Sequence, residues 1–263
     1  MRHSGTPTLP FLHFESLPAT GRLRHAVFTR QGGVSPAPFA SLNLSASVTD
    51  SRPNVAANRE RAYASHGRSQ ASLVHAHLVH GARVARVGRA EYGRHVGPAD
   101  GLITAESGCG LTMNFADCAP IFLYDPVRGA IGLGHAGWRG ALADLPGSLV
   151  RAMARAFGSR PAELLAAVGP CIGACCYEVG AEVLEAAAAA FGGLDGLCRP
   201  AGVNGRTKGW FDLPAANRRR LLEAGVGQVE LAGLCTACNL DLFFSHRAEG
   251  GRTGRFGALL TLE

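Results

Sequence analysis

Apolar residues come in short runs divided by turn-forming residues along most of the chain. Runs or alternations at 23–29, 73–79, 82–87, 111–115, 120–124, 130–134, 164–168, 228–232 and 256–260 predict β-strands. Four segments carry helical spacing instead. Residues 53–65 predict a helix opened by Pro53, and 179–191 an alanine-rich helix stopped by Gly192-Gly193. Residues 145–157 predict a helix starting at or after Pro146. A fourth runs to Leu222, with Asp212 as its cap, Pro214 in its first turn and Gly225 beyond its end. Many strands and few helices, in no strict alternation, predict an α+β fold with a mixed β-sheet core and flanking helices. With 263 residues and no linker longer than a loop, residues 1–263 read as a single layered domain around one sizeable core.

Composition acts mainly by exclusion. Hydrophobic residues make up 47% and charged residues 17% of the chain, the balance of a folded protein rather than a disordered one. Residues 1–10 lack the apolar core of a signal peptide, and no stretch approaches the ~18 apolar residues of a membrane span. The expected compartment is therefore the cytoplasm, with no membrane partner. The net charge of +6 is carried by arginine, since Lys208 is the only lysine. The arginines are dispersed and Arg218-Arg219-Arg220 is the sole triplet, which reads as a solvated helix face rather than a nucleic-acid site. A modest positive field still suits the gathering of phosphate.

Eight cysteines without a secretion signal predict free thiols. Cys235 and Cys238 have Cys-x-x-Cys spacing, yet no second such pair accompanies them. Cys171, Cys175 and Cys176 lie too close together for an obvious ligand geometry. All five read as buried or half-buried structural thiols.

The most specific chemistry lies at His80, Cys118 and His135. Small flanking residues in Ala116-Asp117-Cys118 and in His135-Ala136-Gly137-Trp138-Arg139-Gly140 let backbone approach a ligand, while Trp138 can pack beneath the turn and Arg139 can meet an anion. Cys118 and His135 are 17 residues apart and His80 lies 38 before the cysteine, so the short chelating pairs of a zinc finger are missing. Three distant N/S/N donors, on loops leaving the strands at 73–79, 111–115 and 130–133, match an open catalytic zinc whose fourth position holds water or substrate. Without metal, Cys118 and His135 could serve as nucleophile and base of a Cys-His hydrolase acting on an amide or a cell-wall precursor. A zinc-stabilised binding module is the non-enzymatic reading. His75 and His77 alternate along a predicted strand and read as packing or surface residues rather than a metal pair.

A series of ordered segments extends this picture: Phe28-Thr29-Arg30-Gln31-Gly32-Gly33-Val34-Ser35, Ser41-Leu42-Asn43-Leu44, Asn58-Arg59, Val79-His80-Gly81, Ala99-Asp100-Gly101, Ala116 to Pro120, His135 to Gly140, Gly169 to Gly173, Cys176-Tyr177-Glu178-Val179, Phe211-Asp212-Leu213 and Phe243 to Arg247. Through them the chain resembles, over nearly its whole length, the laccase-domain family, earlier described as polyphenol oxidases and now as purine nucleoside phosphorylases with adenosine deaminase side activity. The resemblance implies zinc on His80, Cys118 and His135, with a purine nucleoside and phosphate as substrates. Zinc brings the pKa of bound water to about 7, which suits attack on C6 of adenosine. Phosphorolysis needs anion-binding groups and a proton donor. Arg30, Arg59, Arg139 and Arg247 are the expected phosphate or nucleoside contacts, and Asn43 a contact to base or ribose. Asp117 and Asp100 are expected to orient ligands or move protons.

The older label would require copper-dependent phenol oxidation. A multicopper cluster needs several His-x-His pairs; the chain has one, His75-Ala76-His77, and no His-Cys-His, leaving copper only as an alternative ion at the soft site. Three positions depart from the family pattern. Leu78 replaces a usual glutamine, Pro146-Gly147 interrupts the helix expected after the hexapeptide, and Ala248 replaces a usual arginine. Pocket shape near Leu78 and the loop at 30–35 would decide among inosine, guanosine, adenosine and methylthioadenosine.

Overall fold

A computed structural model describes residues 1–17, 22–201 and 208–263. Its core is two mixed sheets. The first has seven strands in the order Arg2–Thr6, Leu9–His13, Leu23–Phe28, Phe256–Leu262, Gly110–Phe115, Leu73–Ala76 and His95–Val96. The second has six: Gln228–Leu231, Leu165–Val168, Ala119–Asp125, Ala130–Ala136, Gly101–Thr104 and Val84–Arg86. Most pairs are antiparallel. Leu73–Ala76 is parallel to both its neighbours, and the second sheet is parallel at each edge. Glu178–Gly180, Lys208–Phe211 and Cys198–Ala201 form a small third sheet.

Side-chain alternation explains why the two large sheets stack. Leu111, Met113 and Phe115 share one apolar cluster with Phe122, Tyr124, Ile131 and Leu133, so this cluster fills the space between the sheets. Ile121, Leu123 and Ala130 point the other way, against the helices Leu145–Phe157, Ala181–Phe191 and Leu213–Glu223. Ala26, Phe28 and Leu259 cover the outer face of the first sheet beneath the helix Arg52–Ala64. Burial on both faces is why these strands read as nearly continuous apolar runs. Each large side chain fully removed from water here contributes about 1.5–3 kcal/mol before entropy is counted.

All nine strand segments appear, with altered ends. The segment at 73–79 stops at Ala76, where the chain turns toward the site, and that at 82–87 narrows to Val84–Arg86. Strands Arg2–Thr6, Leu9–His13, Gly101–Thr104 and those of the small sheet are too polar or too short to show a pattern. The proline at 146 breaks nothing. A short helix, Trp138–Leu142, ends first; Asp144 then adopts φ 59° and its side chain accepts from the Gly147 amide, restarting the chain as Leu145–Phe157. Asp212 caps the helix Leu213–Glu223 as expected, accepting from the Ala215 amide at 2.9 Å. Gly134 lets Leu145–Phe157 pack closely on its strand, because a Cβ there would lie 2.5 Å from Leu149 Cδ1. In the arginine triplet, Arg218 is exposed as a solvated face requires, and Arg220 is the exception. Arg220 is largely buried, donates to the carbonyls of Ala141, Leu142 and Ala190, and stacks 4.0 Å from the Phe191 ring centre.

Besides His135, three of the described histidines are buried within these layers. His25 Nε2 accepts the Phe14 amide hydrogen at 2.8 Å, which requires a neutral ring. Burial pushes His25 and His66 down to about 4 and His75 to about 3. His75 stacks on His95 and takes no part in a metal-ligand group. Between pH 6.5 and about 4 the unfolded chain binds these protons and the folded chain does not. Stability is therefore full above about pH 6.5 and falls on acidification, by on the order of 3 kcal/mol per histidine at pH 4. Thermal unfolding across that range should show the decline, and His25→Gln should make it shallower.

Candidate functional site

The site opens at one rim of the layer between the two sheets. His135 is the sixth residue of Ala130–Ala136 and shares the inward face of Ile131 and Leu133, so its ring lies 5.3 Å from that of Phe115. It belongs to the strand itself rather than to the loop after it. Cys118 lies in the connection between Gly110–Phe115 and Ala119–Asp125. His80 follows the turn that ends Leu73–Ala76 and adopts φ 60°; Asp117 adopts φ 81°. Left-handed backbone at two neighbouring non-glycine residues is costly and persists only where surrounding bonds hold it.

Those bonds come from two carboxylates. Asp100, fully buried, accepts from the amides of Val79 (3.3 Å), His80 (2.9 Å) and Gly81 (2.7 Å). His135 Nδ1 lies 3.3 Å from the same carboxylate, while the His135 amide donates to the Asp100 carbonyl. A carboxylate can only accept, so Nδ1 carries a proton and Nε2 is the nitrogen left to face a ligand. Burial alone would raise the Asp100 carboxyl, but His135 and the Gly81 and His80 amides hold it below its ordinary range. Asp117 accepts from Thr236 Oγ1, Ser245 Oγ and the Arg247 amide, each at 2.7 Å. Its oxygens are occupied by the protein, and it draws three segments of chain together.

His80, Cys118 and His135 each offer a donor atom within 4.8 Å of the others. Gly137 makes room for them, since a Cβ there would lie 2.8 Å from Cys118 Sγ and 3.7 Å from His80 Nδ1. One thiol and two imidazoles this close fit a zinc-type ion with an open position. Burial would raise the Cys118 thiol, yet His135 and His80 bring it down to about 6. Burial would likewise lower His135, and Cys118 with Asp100 raises it to about 9.

These groups face a cavity of about 770 Å³. Arg59, Arg139 and Arg247 line it, as does Leu78. Arg59 is buried and its Nε donates to the Leu44 carbonyl at 2.8 Å; Arg139 stacks 4.2 Å from the Trp138 ring centre; Arg247 donates to the Glu178 carbonyl beside Tyr177. Arg30 and Asn43 are placed elsewhere. Arg30 is taken up by the carbonyls of Ala40 and Leu240 and by Glu249 at 3.1 Å. Asn43 is fully buried, bonded to Ser45, Asp50 and the Arg255 amide. Neither lines the cavity.

Tyr177, Arg255, His77 and His246 also line it; Tyr177 and His246 fall in the family-like segments and His77 in the His-x-His pair, but only the fold brings them to the cavity. Burial and the nearby Cys118 push the Tyr177 phenol up to about 12, so it stays a hydrogen-bond donor. Asp117 is the only carboxylate against four arginines among the described lining residues, which favours an anion.

The fold of two stacked mixed sheets flanked by helices is shared with solved structures. The chain belongs to the family described as multi-copper polyphenol oxidoreductase laccase, whose profile matches residues 24–263. It is 39% identical over 256 residues to a Deinococcus radiodurans protein named purine nucleoside phosphorylase, covering 97% of this chain and 94% of that one. It is 34% identical to purine nucleoside phosphorylase YlmD of Bacillus subtilis, covering 89% and 87%. Among solved structures, YlmD from Geobacillus stearothermophilus superposes with a TM-score of 0.87 at 32% identity, covering 99% of this chain and 98% of that one. The hypothetical protein YfiH of Bacillus licheniformis gives 0.89 at 31%, covering 98% and 97%.

Removing the Asp117 carboxylate leaves two buried hydroxyls and an amide without their acceptor. Asp117→Ala should cost about 3 kcal/mol, read as a lower urea midpoint with an unchanged slope.

Proposed function

We propose that the protein is a zinc-dependent purine nucleoside phosphorylase, with adenosine deamination as a second activity of the same pocket. The observation that carries this reading is the convergence of His80, Cys118 and His135 in a cavity lined by Arg59, Arg139, Arg247 and Arg255. The relatives named purine nucleoside phosphorylase support it. Bound there, zinc would supply Lewis-acid polarisation at its open position.

The chain's own groups account for the rest. Arg139 and Arg247 hold phosphate facing C1 of the ribose, and Arg59 and Arg255 spread further positive charge over the cavity. One phosphate oxygen forms the new bond to C1 as the bond to the purine nitrogen breaks, and its electron pair leaves with the purine, which takes up a proton. His77 and His246 line the cavity, and an imidazole there can pass that proton to the purine. Tyr177 donates a hydrogen bond to the ligand. Asp100 and Asp117 act as positioning residues, the first through His135 and the loop at 79–81, the second through Arg247. Leu78 offers an apolar surface to the base.

One observation favours a second reading: Cys118, His135 and Asp100 follow one another as thiol, imidazole and carboxylate do in a metal-independent cysteine hydrolase. Among the described residues, the two groups able to hold a metal do not form the histidine-rich assembly of a multicopper oxidase.

Purified protein given inosine and phosphate should release hypoxanthine and ribose 1-phosphate, and nothing without phosphate. Cys118→Ala should abolish the reaction; undiminished turnover in that variant would falsify the site. Chelation should also stop it and zinc restore it, whereas a hydrolase would survive chelation and die on alkylation. Arg139→Ala and Arg247→Ala should each raise KM for phosphate about tenfold, with KM for the nucleoside little changed.

A further inference from the structure

Four thiols outside the catalytic cavity come together from two distant loops. Cys175 and Cys176 lie in the turn before Glu178–Gly180, and Cys235 and Cys238 in the loop after Gln228–Leu231. Their sulfur atoms all lie within 4.8 Å of one another, and none of the four lines the cavity. This corrects the reading from the sequence alone, in which Cys175 and Cys176 were too close for ligand geometry: the partners of the adjacent pair lie some sixty residues on.

We infer that Cys175, Cys176, Cys235 and Cys238 bind a single zinc ion as a tetrathiolate that pins the two loops together. With zinc–sulfur bonds of about 2.3 Å, a tetrahedron of sulfurs has edges of about 3.8 Å. Every pair of the four sulfurs lies within 4.8 Å, and the separations from Cys238 to Cys175 and from Cys238 to Cys176 are each 3.4 Å, so the cluster has the size of that tetrahedron. Equal approach to two neighbours suits a central ion and not a two-centre bond, since Cys238 could pair with only one of them. An iron–sulfur cluster distributes its cysteines over several irons and spreads their sulfurs more widely. The Gly173 amide points at Cys235 Sγ at 3.3 Å, the contact that stabilises a metal-bound thiolate. Cys175 and Cys238 are exposed, giving the ion a way in. Binding replaces the four thiol protons, which pass to solvent, and involves no electron transfer.

The backbone shows what the ion would hold. Cys171 and Cys235 form a parallel bridge, and the Thr236 amide donates to the Cys171 carbonyl at 3.1 Å. Tyr177 follows directly on the first thiol pair and lines the cavity, while Thr236 Oγ1 donates to Asp117. The tetrathiolate thus fastens one wall of the pocket from behind and is separate from the His80, Cys118 and His135 group.

Cys118→Ser removes the only thiolate of the other site, so metal in that variant reports on the four cysteines. Purified under reduction and supplied with zinc, it should retain about one equivalent, and the additional changes Cys175→Ser and Cys238→Ser should lower this to below about a tenth. If the triple variant does not fold, cobalt(II) loading of Cys118→Ser alone decides. An intense thiolate-to-cobalt charge-transfer band with tetrahedral d–d absorption supports four sulfur ligands. Cys118→Ser protein that binds no metal and lacks that band overturns the inference. So does a triple variant that keeps its zinc, an intact mass showing disulfides in reduced protein, or iron with sulfide in place of zinc.

Discussion

The buried carboxylate of Asp100 is the interaction on which the pocket depends. It lies just before Gly101–Thr104, yet it gathers three successive amides of the loop at 79–81 and the ring of His135 on the neighbouring strand. A fully buried anion is tolerated only when its lone pairs are filled, and here amides and an imidazole fill them. The same contacts hold His80 in left-handed backbone and choose the tautomer of His135. Both imidazoles beside Cys118 are therefore placed by one group, which does not itself line the cavity. Asp117 does the corresponding work on the opposite side, tying Thr236, Ser245 and Arg247 to the residue just before the cysteine.

Rigid placement of this kind suits chemistry in which the ligand, rather than the protein, carries most of the rearranging charge. The pocket sits where the layer between two sheets meets solvent, with Phe115 beside the His135 ring and four arginines among its lining residues. Removal from water lowers the local dielectric and strengthens every charge–charge interaction there. In the protein alone, the proximity of the two groups lowers the Cys118 thiol and raises His135.

Much of this was legible in the residues. Near-continuous apolar runs located the central strands because their two faces are both buried, and the Asp212 cap and the Gly192 stop behave as a capping carboxylate and a left-handed glycine should. The spacing of His80, Cys118 and His135 excluded a local chelate, and the fold brings the three together. Illegible were the features decided by partners far along the chain. Nothing local distinguishes Arg30, whose guanidinium is consumed by backbone carbonyls and Glu249, from Arg247, which faces the cavity. Asn43 is drawn into its own turn and the Arg255 amide by the same logic. Tyr177 and Arg255 gain their places only once loops remote in sequence meet. The cysteine cluster is the clearest case, because its two halves are each uninformative alone.

The strand order of the first sheet has a bearing on how the chain reaches this state. Phe256–Leu262 lies between Leu23–Phe28 and Gly110–Phe115, so the sheet's middle is filled by a strand far downstream of both its neighbours. Until it docks, two strand edges stand open and the apolar layer between the sheets lacks Phe256. Assembly must therefore wait on contacts remote in sequence, a slow step by nature that leaves folding chains exposed to mispairing.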